Sequence, residues 1–219
     1  MIATETNQGL VRIEADGIVL EGNLLIPEKA TGVVLFAHGS GSSRFSSRNR
    51  YVAEQLRAAG VGTLLIDLLT QDEEQIDLRT AHLRFDINLL AGRLAGAIEW
   101  LEHESQTQRL KVGLFGASTG GAAALVAAAR RPDRVAAVVS RGGRPDLAGP
   151  ALPHVKAPTL LIVGGDDIPV IGMNREAYDQ MNCVRRMEIV PGASHLFEEP
   201  GTLEQVARLA SNWFTEYLK

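Results

Sequence analysis

Cysteine is almost absent from this chain. Cys183 is the only cysteine among 219 residues, so no internal disulfide can form. Because disulfides accumulate in secreted proteins, a single cysteine favours a reducing compartment. We expect this thiol to be a partly buried small apolar residue and not a nucleophile.

Long apolar runs and blocks of like charge are absent as well. No stretch of about 18 apolar residues occurs, so no transmembrane helix is expected. The first twenty residues carry charges such as Glu5 and Arg12 and lack the apolar stretch of a signal peptide. The formal net charge is −4 with no basic block, which argues against nucleic acid as a partner. These absences predict a cytoplasmic protein that binds neither nucleic acid nor membrane.

Apolar residues are nevertheless plentiful, at 45% of the chain. This proportion is typical of a globular protein and not of a disordered one. A length of 219 residues is enough to bury a large core, and it fits one domain over residues 1–219 better than two. We find no internal repeat, low-complexity tract or linker.

Strand and helix patterns alternate along the chain. Residues 10–15 and 18–26, joined by Asp16-Gly17, predict an antiparallel hairpin. Further strands are predicted from apolar runs at residues 32–37, 61–65, 111–115, 134–139, 159–163 and 185–190. Helices are predicted at residues 46–59, 84–104, 122–131, 173–181 and 201–218, whereas residues 68–83 are expected to be irregular. The alternation predicts an α/β fold: a mostly parallel sheet of about seven to eight strands, helices on both faces and an antiparallel N-terminal hairpin.

The most informative motif is a G-x-S-x-G sequence at residues 116–120. It follows the predicted strand at 111–115 and precedes the alanine-rich helix pattern at 122–131. A serine at such a corner is held in a tight turn with its hydroxyl raised above the sheet. The context predicts that Ser118 is a nucleophile and that the protein is a hydrolase.

A serine hydroxyl needs a base and an acid that orients the base. Asp166 and Asp167 follow the strand at 159–163, and His195 follows the strand at 185–190. The carboxyl ends of parallel strands lie on one rim of the sheet, so each of these side chains can reach Ser118. The order serine, aspartate, histidine is the one that accompanies the G-x-S-x-G motif. On this ground alone, either aspartate can be the acid.

Donors for the tetrahedral oxyanion are expected at two backbone positions. Small residues follow the strand at 32–37, and there the N–H of Ser40, or that of Gly41, can point at a substrate oxygen. The second donor is the N–H of Thr119, at the positive end of a helix. His38 comes too early in the chain order to be the base, and we expect it to order this loop by hydrogen bonds.

The chain resembles the α/β-hydrolase superfamily, and within it the small lidless hydrolases related to dienelactone hydrolase. The resemblance rests on the segments His38-Gly39-Ser40-Gly41, Gly116-Ala117-Ser118-Thr119-Gly120, Gly164-Gly165-Asp166-Asp167-Ile168-Pro169-Val170 and Gly192-Ala193-Ser194-His195. It extends from the hairpin to the last helix. It implies the α/β-hydrolase fold over nearly the whole chain.

The resemblance also refines the expected site. In the superfamily the acid stands three residues before a valine, which matches Asp167 and Val170 and favours Asp167 over Asp166. Dienelactone hydrolases proper use a cysteine nucleophile, whereas this chain has Ser118, which favours ester chemistry over the specific lactone. About twenty residues, 140–159, lie where lidded relatives insert a cap, so we expect no cap domain and a shallow, open site.

These observations together predict a serine hydrolase that cleaves a small carboxylic ester, thioester or lactone through an acyl-enzyme. The partner is a small acyl substrate, and neither a cofactor nor a metal is required. The alternatives are a dienelactone-type lactone hydrolase, an acyl thioesterase, or a catalytically silent binding domain of the same fold. The oligomeric state is left open, with a homodimer as one option.

Other polar side chains receive ordinary structural interpretations. Arg79, Arg141 and Arg144 could hold a substrate carboxylate, but solvated surface charge is the favoured interpretation of each. Surface positions are also expected for three histidines, His82, His103 and His154.

Overall fold

The protein is built on one sheet, seen in a computed structural model that describes residues 9–15 and 17–219. Its strands, numbered along the chain, are β1 Leu10–Ala15, β2 Ile18–Leu25, β3 Gly32–Ala37, β4 Gly62–Ile66, β5 Lys111–Ala117, β6 Val135–Arg141, β7 Thr159–Gly164 and β8 Arg185–Val190. Their order in the sheet is β1-β2-β4-β3-β5-β6-β7-β8.

The sheet combines an antiparallel edge with a parallel body. β1 pairs antiparallel with β2, and β2 pairs antiparallel with β4. All neighbours from β4 to β8 are parallel. The predicted mostly parallel sheet with an N-terminal hairpin is therefore confirmed. In the hairpin turn, Gly17 adopts φ 77°, whereas Asp16 and Glu5 lie outside the described residues.

Helices cover both faces of the sheet. They are α1 Ser47–Ala58, α2 Gln71–Thr80, α3 Ile87–His103, α4 Thr119–Arg130, α5 Ile168–Gln180 and α6 Thr202–Tyr217. α1 and α6 pack against each other on one face, and α3 and α4 do so on the other. None of the helices in the described part of the chain is long and apolar enough to cross a bilayer.

The core lies in two apolar layers, one on each side of the central strands. Because β3, β4 and β5 are covered on both faces, nearly all their side chains are buried, and their sequences are mostly apolar. Phe36 of β3 and Phe115 of β5 stack with their ring centroids 4.9 Å apart. These rigid central strands carry the loops at the carboxyl edge.

The segment at 68–83, expected to be irregular, contains α2. This helix begins with a reciprocal cap, in which the Thr70 hydroxyl accepts from the Glu73 N–H and the Glu73 carboxylate accepts from the Thr70 N–H. Asp77 is the only buried residue in α2. The expectation was wrong because a helix that buries almost no apolar side chain has no hydrophobic periodicity to reveal it.

Three predicted helix starts were also wrong. The helix expected from Ala122 begins at Thr119, directly after Ser118. The helix expected from Met173 begins at Ile168, because Pro169 is favourable in a first turn. The helix expected from Arg84 begins at Ile87, where the Asp86 carboxylate accepts from the Leu89 N–H.

The connection between β6 and β7 contains only short 3₁₀ turns, at Pro145–His154, interrupted at Gly149. These turns pack against α4 and α5. The expectation that no cap domain is inserted here therefore agrees with the described structure. The carboxyl edge above β5 and β6 is left without a domain on top of it.

Candidate active site

The G-x-S-x-G segment forms a tight turn between β5 and α4. Ser118 has φ 51° and ψ −121°, a conformation that side-chain-bearing residues adopt rarely and at a cost of about 1–3 kcal/mol. A Cβ at Gly116 would overlap the Gly120 carbonyl, and a Cβ at Gly120 would overlap the Ala37 carbonyl. Both positions therefore require glycine, and the turn presents Ser118 at the carboxyl edge of the sheet.

The structure brings Ser118, His195 and Asp167 into one hydrogen-bonded chain. His195 Nε2 lies 3.3 Å from Ser118 Oγ, and His195 Nδ1 lies 2.7 Å from Asp167 Oδ2. The carboxylate can only accept, so Nδ1 carries the proton in the neutral imidazole. Nε2 is then the acceptor for the serine hydroxyl, which is the arrangement that a general base requires.

Asp167, and not Asp166, contacts the histidine. Asp167 precedes α5, but its side chain makes no capping hydrogen bond, so the carboxylate is free to accept from His195. The Asp166 side chain is exposed, and its backbone N–H donates to the Ala193 carbonyl at 3.0 Å. That backbone bond ties the loop after β7 to the loop that carries His195.

The loop after β8 is fixed on both sides of His195. The Ser194 N–H donates to Glu199 Oε2 at 3.0 Å, and hydrogen bonds from Ser194 lower the pKa of that carboxyl. Phe197 is buried with φ 56°, and its N–H donates to the Ser194 carbonyl at 3.3 Å. A buried aromatic anchor two residues beyond His195 keeps the imidazole in place. The sequence pattern indicated His195 but not this support.

The two expected oxyanion donors lie next to each other. Ser40 Oγ and Thr119 Oγ1 are 3.1 Å apart, so the loop after β3 meets the start of α4. Within the described residues, the backbone N–H groups of Ser40 and Thr119 donate to no protein acceptor. A Cβ at Gly39 would lie 3.1 Å from the Ser118 Cβ, which shows how closely this loop approaches the nucleophile position. Both amides are free for a substrate oxygen.

His38 orders the loop after β3, as expected. Its Nδ1 lies 2.9 Å from the Gly39 carbonyl, and its Nε2 accepts from the Leu68 N–H at 3.1 Å. One ring nitrogen therefore donates and the other accepts, which requires a neutral imidazole. Burial lowers the pKa of His38 and favours the same form.

Arg44 holds the other end of this loop, a role that the sequence did not reveal. Its backbone N–H donates to Asp67 Oδ1 at 2.7 Å, and its guanidinium pairs with Asp67 Oδ2 and with Glu21 Oε2. The side chain is only 10% exposed. Asp67 follows β4 and Glu21 belongs to β2, so the network joins three segments that are distant in the sequence.

A small cavity of about 70 Å³ opens beside the oxyanion donors. Its polar wall includes His38, Ser40 and Thr119, and its apolar wall includes Leu68 and Leu90. The segment at 68–86 closes one side, where Arg84 Nε donates to Asp77 Oδ2 at 2.5 Å. The cavity has room for a small acyl or alkyl group, and α2, which was not predicted, borders it.

The three arginines that could hold a carboxylate differ in their surroundings. Arg79 is exposed, and Arg144 makes two hydrogen bonds to the Asp146 carboxylate, at 2.9 and 2.8 Å. The favoured interpretation was wrong for Arg141, which is 6% exposed at the end of β6. Nothing in the local sequence marks this burial, because it depends on packing under α1 and the loop of His195.

The remaining expectations concern polar groups outside this cluster. His82, His103 and His154 are exposed, and Cys183 is partly buried. In the described part of the chain, no three histidine, cysteine or acidic side chains are grouped as a metal site would require.

Comparison with models of known protein families identifies the family of this chain. A model described as the dienelactone hydrolase family matches residues 20–218. The chain belongs to the dienelactone hydrolase family. The predicted resemblance to hydrolases of the α/β type related to dienelactone hydrolase is thereby confirmed.

Solved structures agree with this assignment. A crystal structure of dienelactone hydrolase from Anabaena variabilis is 68% identical, covers 96% of this chain and 97% of its own, and has a TM-score of 0.95. Est1E from Butyrivibrio proteoclasticus is 17% identical, with 96% and 99% covered and a TM-score of 0.79, and so shares the fold. The α/β-hydrolase fold expected from the sequence is thus confirmed.

A longer relative carries a different name. A protein of Mycobacterium tuberculosis named putative phosphoribosyl transferase is 56% identical over 208 residues, which are 95% of this chain and 46% of that protein. The chain spans about half the length of the curated relatives it matches. The transferase name describes those longer proteins.

Proposed function

We propose that this family member is a serine hydrolase that cleaves small carboxylic esters, or thioesters or lactones, through an acyl-enzyme. The observation that carries the proposal is the chain of contacts from Asp167 through His195 to Ser118, with distances of 2.7 and 3.3 Å. The free N–H groups of Ser40 and Thr119 beside the nucleophile support it further.

In the proposed reaction, Ser118 Oγ attacks the substrate carbonyl while His195 Nε2 takes the hydroxyl proton. Asp167 holds the imidazole in the tautomer that can accept this proton and stabilises the imidazolium that results. The imidazolium then protonates the leaving alkoxide. A water molecule, deprotonated by His195, attacks the acyl-enzyme and releases the acid and free Ser118.

Hydrogen bonds from the backbone N–H groups of Ser40 and Thr119 stabilise the negative charge that develops on the carbonyl oxygen. Loss of one such donor reduces the rate about a hundred- to a thousandfold in enzymes of this kind. The Thr119 amide also lies at the start of the 12-residue helix α4, whose positive end favours the anion.

Substrate preference is proposed from the nucleophile and the cavity. Ser118 occupies the position where dienelactone hydrolases proper use cysteine, which favours ordinary esters over the specific lactone. The cavity of about 70 Å³ suits short groups. Lactone hydrolysis and thioester hydrolysis are the alternatives, and a panel of short esters, acyl thioesters and unsaturated lactones separates them. The proposed setting is the cytoplasm, supported by the single cysteine.

Replacement of the nucleophile tests the proposal. Ser118→Ala should reduce hydrolysis of p-nitrophenyl acetate by at least about a thousandfold, because only transition-state contacts remain. Ser105→Ala changes an exposed serine just after the end of α3; it serves as the matched control and should retain full turnover. Circular dichroism and thermal unfolding should show that both variants are folded. Equal turnover by Ser118→Ala and the wild type would refute the proposal, and absence of turnover in the wild type would favour a binding domain.

A further inference from the structure

Arg141 is a buried cation for which the described part of the chain supplies no anion. It is 6% exposed, and its hydrogen-bond partner is a neutral amide, Asn49 Oδ1, at 3.4 Å from Nη2. No carboxylate in the described residues pairs with its guanidinium. A buried charge is costly unless a counter-charge and hydrogen bonds accompany it, so an arginine in this state requires an explanation.

The surroundings of Arg141 add positive charge. Burial, followed by repulsion from Arg48, lowers the pKa of Arg141 to about 10. Arg48 lies in the first turn of α1, a 12-residue helix with no acidic residue in that turn. The positive end of the helix dipole points to the same place. Glu198 pairs with Arg48 Nη1 at 3.0 Å, but it is 63% exposed, and Arg48 Nε is buried without an acceptor.

Arg141 and the first turn of α1 lie beside the nucleophile and the base. The Arg141 carbonyl accepts from the Ser118 N–H at 3.3 Å. A Cβ on the next residue, Gly142, would lie 3.0 Å from the His195 carbonyl oxygen and 3.7 Å from His195 Cε1. The guanidinium carbon lies 5.8 Å from the centroid of the Phe197 ring. Arg141 thus lies between α1 and the loop that carries His195.

We propose that Arg141, at the end of β6, and Asn49, in the first turn of α1, form a subsite for an anionic group of the substrate. The inference rests on the proposed hydrolysis and narrows its substrates to esters that also bear a carboxylate or a phosphate. A guanidinium binds either group with two parallel hydrogen bonds, and a helix N-terminus favours both. The bound anion would supply the counter-charge that Arg141 does not receive from residues 9–15 and 17–219.

A matched set of substrates tests the subsite. Three aryl acetates differ in one substituent: 4-(methoxycarbonyl)phenyl acetate is neutral, 4-carboxyphenyl acetate bears a carboxylate, and 4-acetoxyphenyl phosphate bears a phosphate. A second pair varies the charge on the acyl group: mono-4-nitrophenyl glutarate bears a carboxylate, and its methyl ester is neutral. We expect kcat/KM of the wild type for at least one anionic ester to exceed that for its neutral match by about tenfold or more. The preferred member of the set identifies carboxylate or phosphate.

Variants then assign the preference to Arg141. In Arg141→Met, the ratio of kcat/KM for the anionic ester to that for its neutral match should fall to about one, and Arg141→Lys should keep part of it. Arg50→Met removes the same charge from an exposed position of α1 and should keep the wild-type ratio. If Arg141→Met does not fold, the wild type is tested with two inhibitors, 4-hydroxybenzoate and its neutral methyl ester. The subsite predicts stronger inhibition by 4-hydroxybenzoate.

Several results would overturn the subsite. The wild type could show no preference for any anionic ester and no stronger inhibition by 4-hydroxybenzoate than by its methyl ester. Alternatively, Arg141→Met could lose the neutral and anionic substrates in equal measure, as a purely structural arginine would. A wild type that hydrolyses no ester at all refutes the proposed function instead, so the two failures are distinguishable.

Discussion

The chemistry of single residues here depends on their neighbours. Ser118 has an ordinary hydroxyl, but a strained φ of 51° aims it at His195 Nε2. Asp167 determines which imidazole nitrogen carries the proton. Positions after strands predicted Ser118 and His195 and left Asp166 and Asp167 as the two candidates for the acid. The resemblance to the α/β-hydrolase superfamily then favoured Asp167. The sequence could not predict the burial of Arg141 or the pairing of Arg44 with Asp67, because both depend on segments that meet only in the folded chain.

Acid sensitivity is predicted at the level of one residue, His38. The unfolded chain takes up a proton near pH 6.5, whereas burial lowers the pKa of His38 in the folded state. Because the unfolded state then binds more protons, the free energy of unfolding should fall as the pH drops below about 6.5. Urea unfolding at pH 7.5 and 5.5 measures this fall. Carboxyl groups titrate lower, near pH 4, and contribute little in this window.

A variant isolates the contribution of His38. His38→Gln cannot titrate, so its stability should change less between the two pH values than that of the wild type. His103→Gln changes an exposed histidine and should behave like the wild type. Identical pH dependence in all three proteins would contradict the assignment of a neutral His38 with a lowered pKa.

Among the structural elements, the loop from His38 to the start of α1 contributes most to the proposed site besides the triad. It holds the Ser40 amide, and it is fixed at one end by His38 and at the other by Arg44. Both contacts lead to the residues after β4, namely Asp67 and Leu68. The end of β4 therefore positions an oxyanion donor that belongs to the loop after β3.

Breaking the Arg44 contact should affect turnover more than binding. Arg44→Met should lower kcat for p-nitrophenyl acetate by about tenfold or more, with a change in KM of less than about threefold, because a displaced donor is felt mainly in the transition state. Arg186→Met breaks an exposed ion pair with Glu188 at the sheet edge and is the matched control. A loss of kcat in the control equal to that in Arg44→Met, or no loss in either variant, would contradict this role.

Helices were predictable to the extent that they bury apolar side chains. α3 and α6 show clear periodicity and were predicted, whereas α2 buries only Asp77 and was not. A sequence signal for α2 existed, since Thr70 and Glu73 have the spacing of a reciprocal cap. Pro169 similarly marks the first turn of α5, a position that proline favours.

At the scale of the whole molecule, a parallel sheet explains why the site could be foreseen. Strands β3, β5, β7 and β8 all end at one edge, so residues that directly follow them converge whatever their distance along the chain. The strand order itself was not predicted from the sequence. The shape of the cavity and the charge around Arg141 depend on helix packing, which the alternation of strands and helices does not specify.

Covalent labelling with a fluorophosphonate tests whether Ser118 is an activated nucleophile. Tryptic mapping by mass spectrometry should find one phosphonylated residue, Ser118, in the native protein. Labelling should be lost in Ser118→Ala, in His195→Ala and after denaturation, because the serine reacts only when His195 accepts its proton. Native wild-type protein that remains unlabelled at Ser118, or is labelled equally in His195→Ala, would contradict the account.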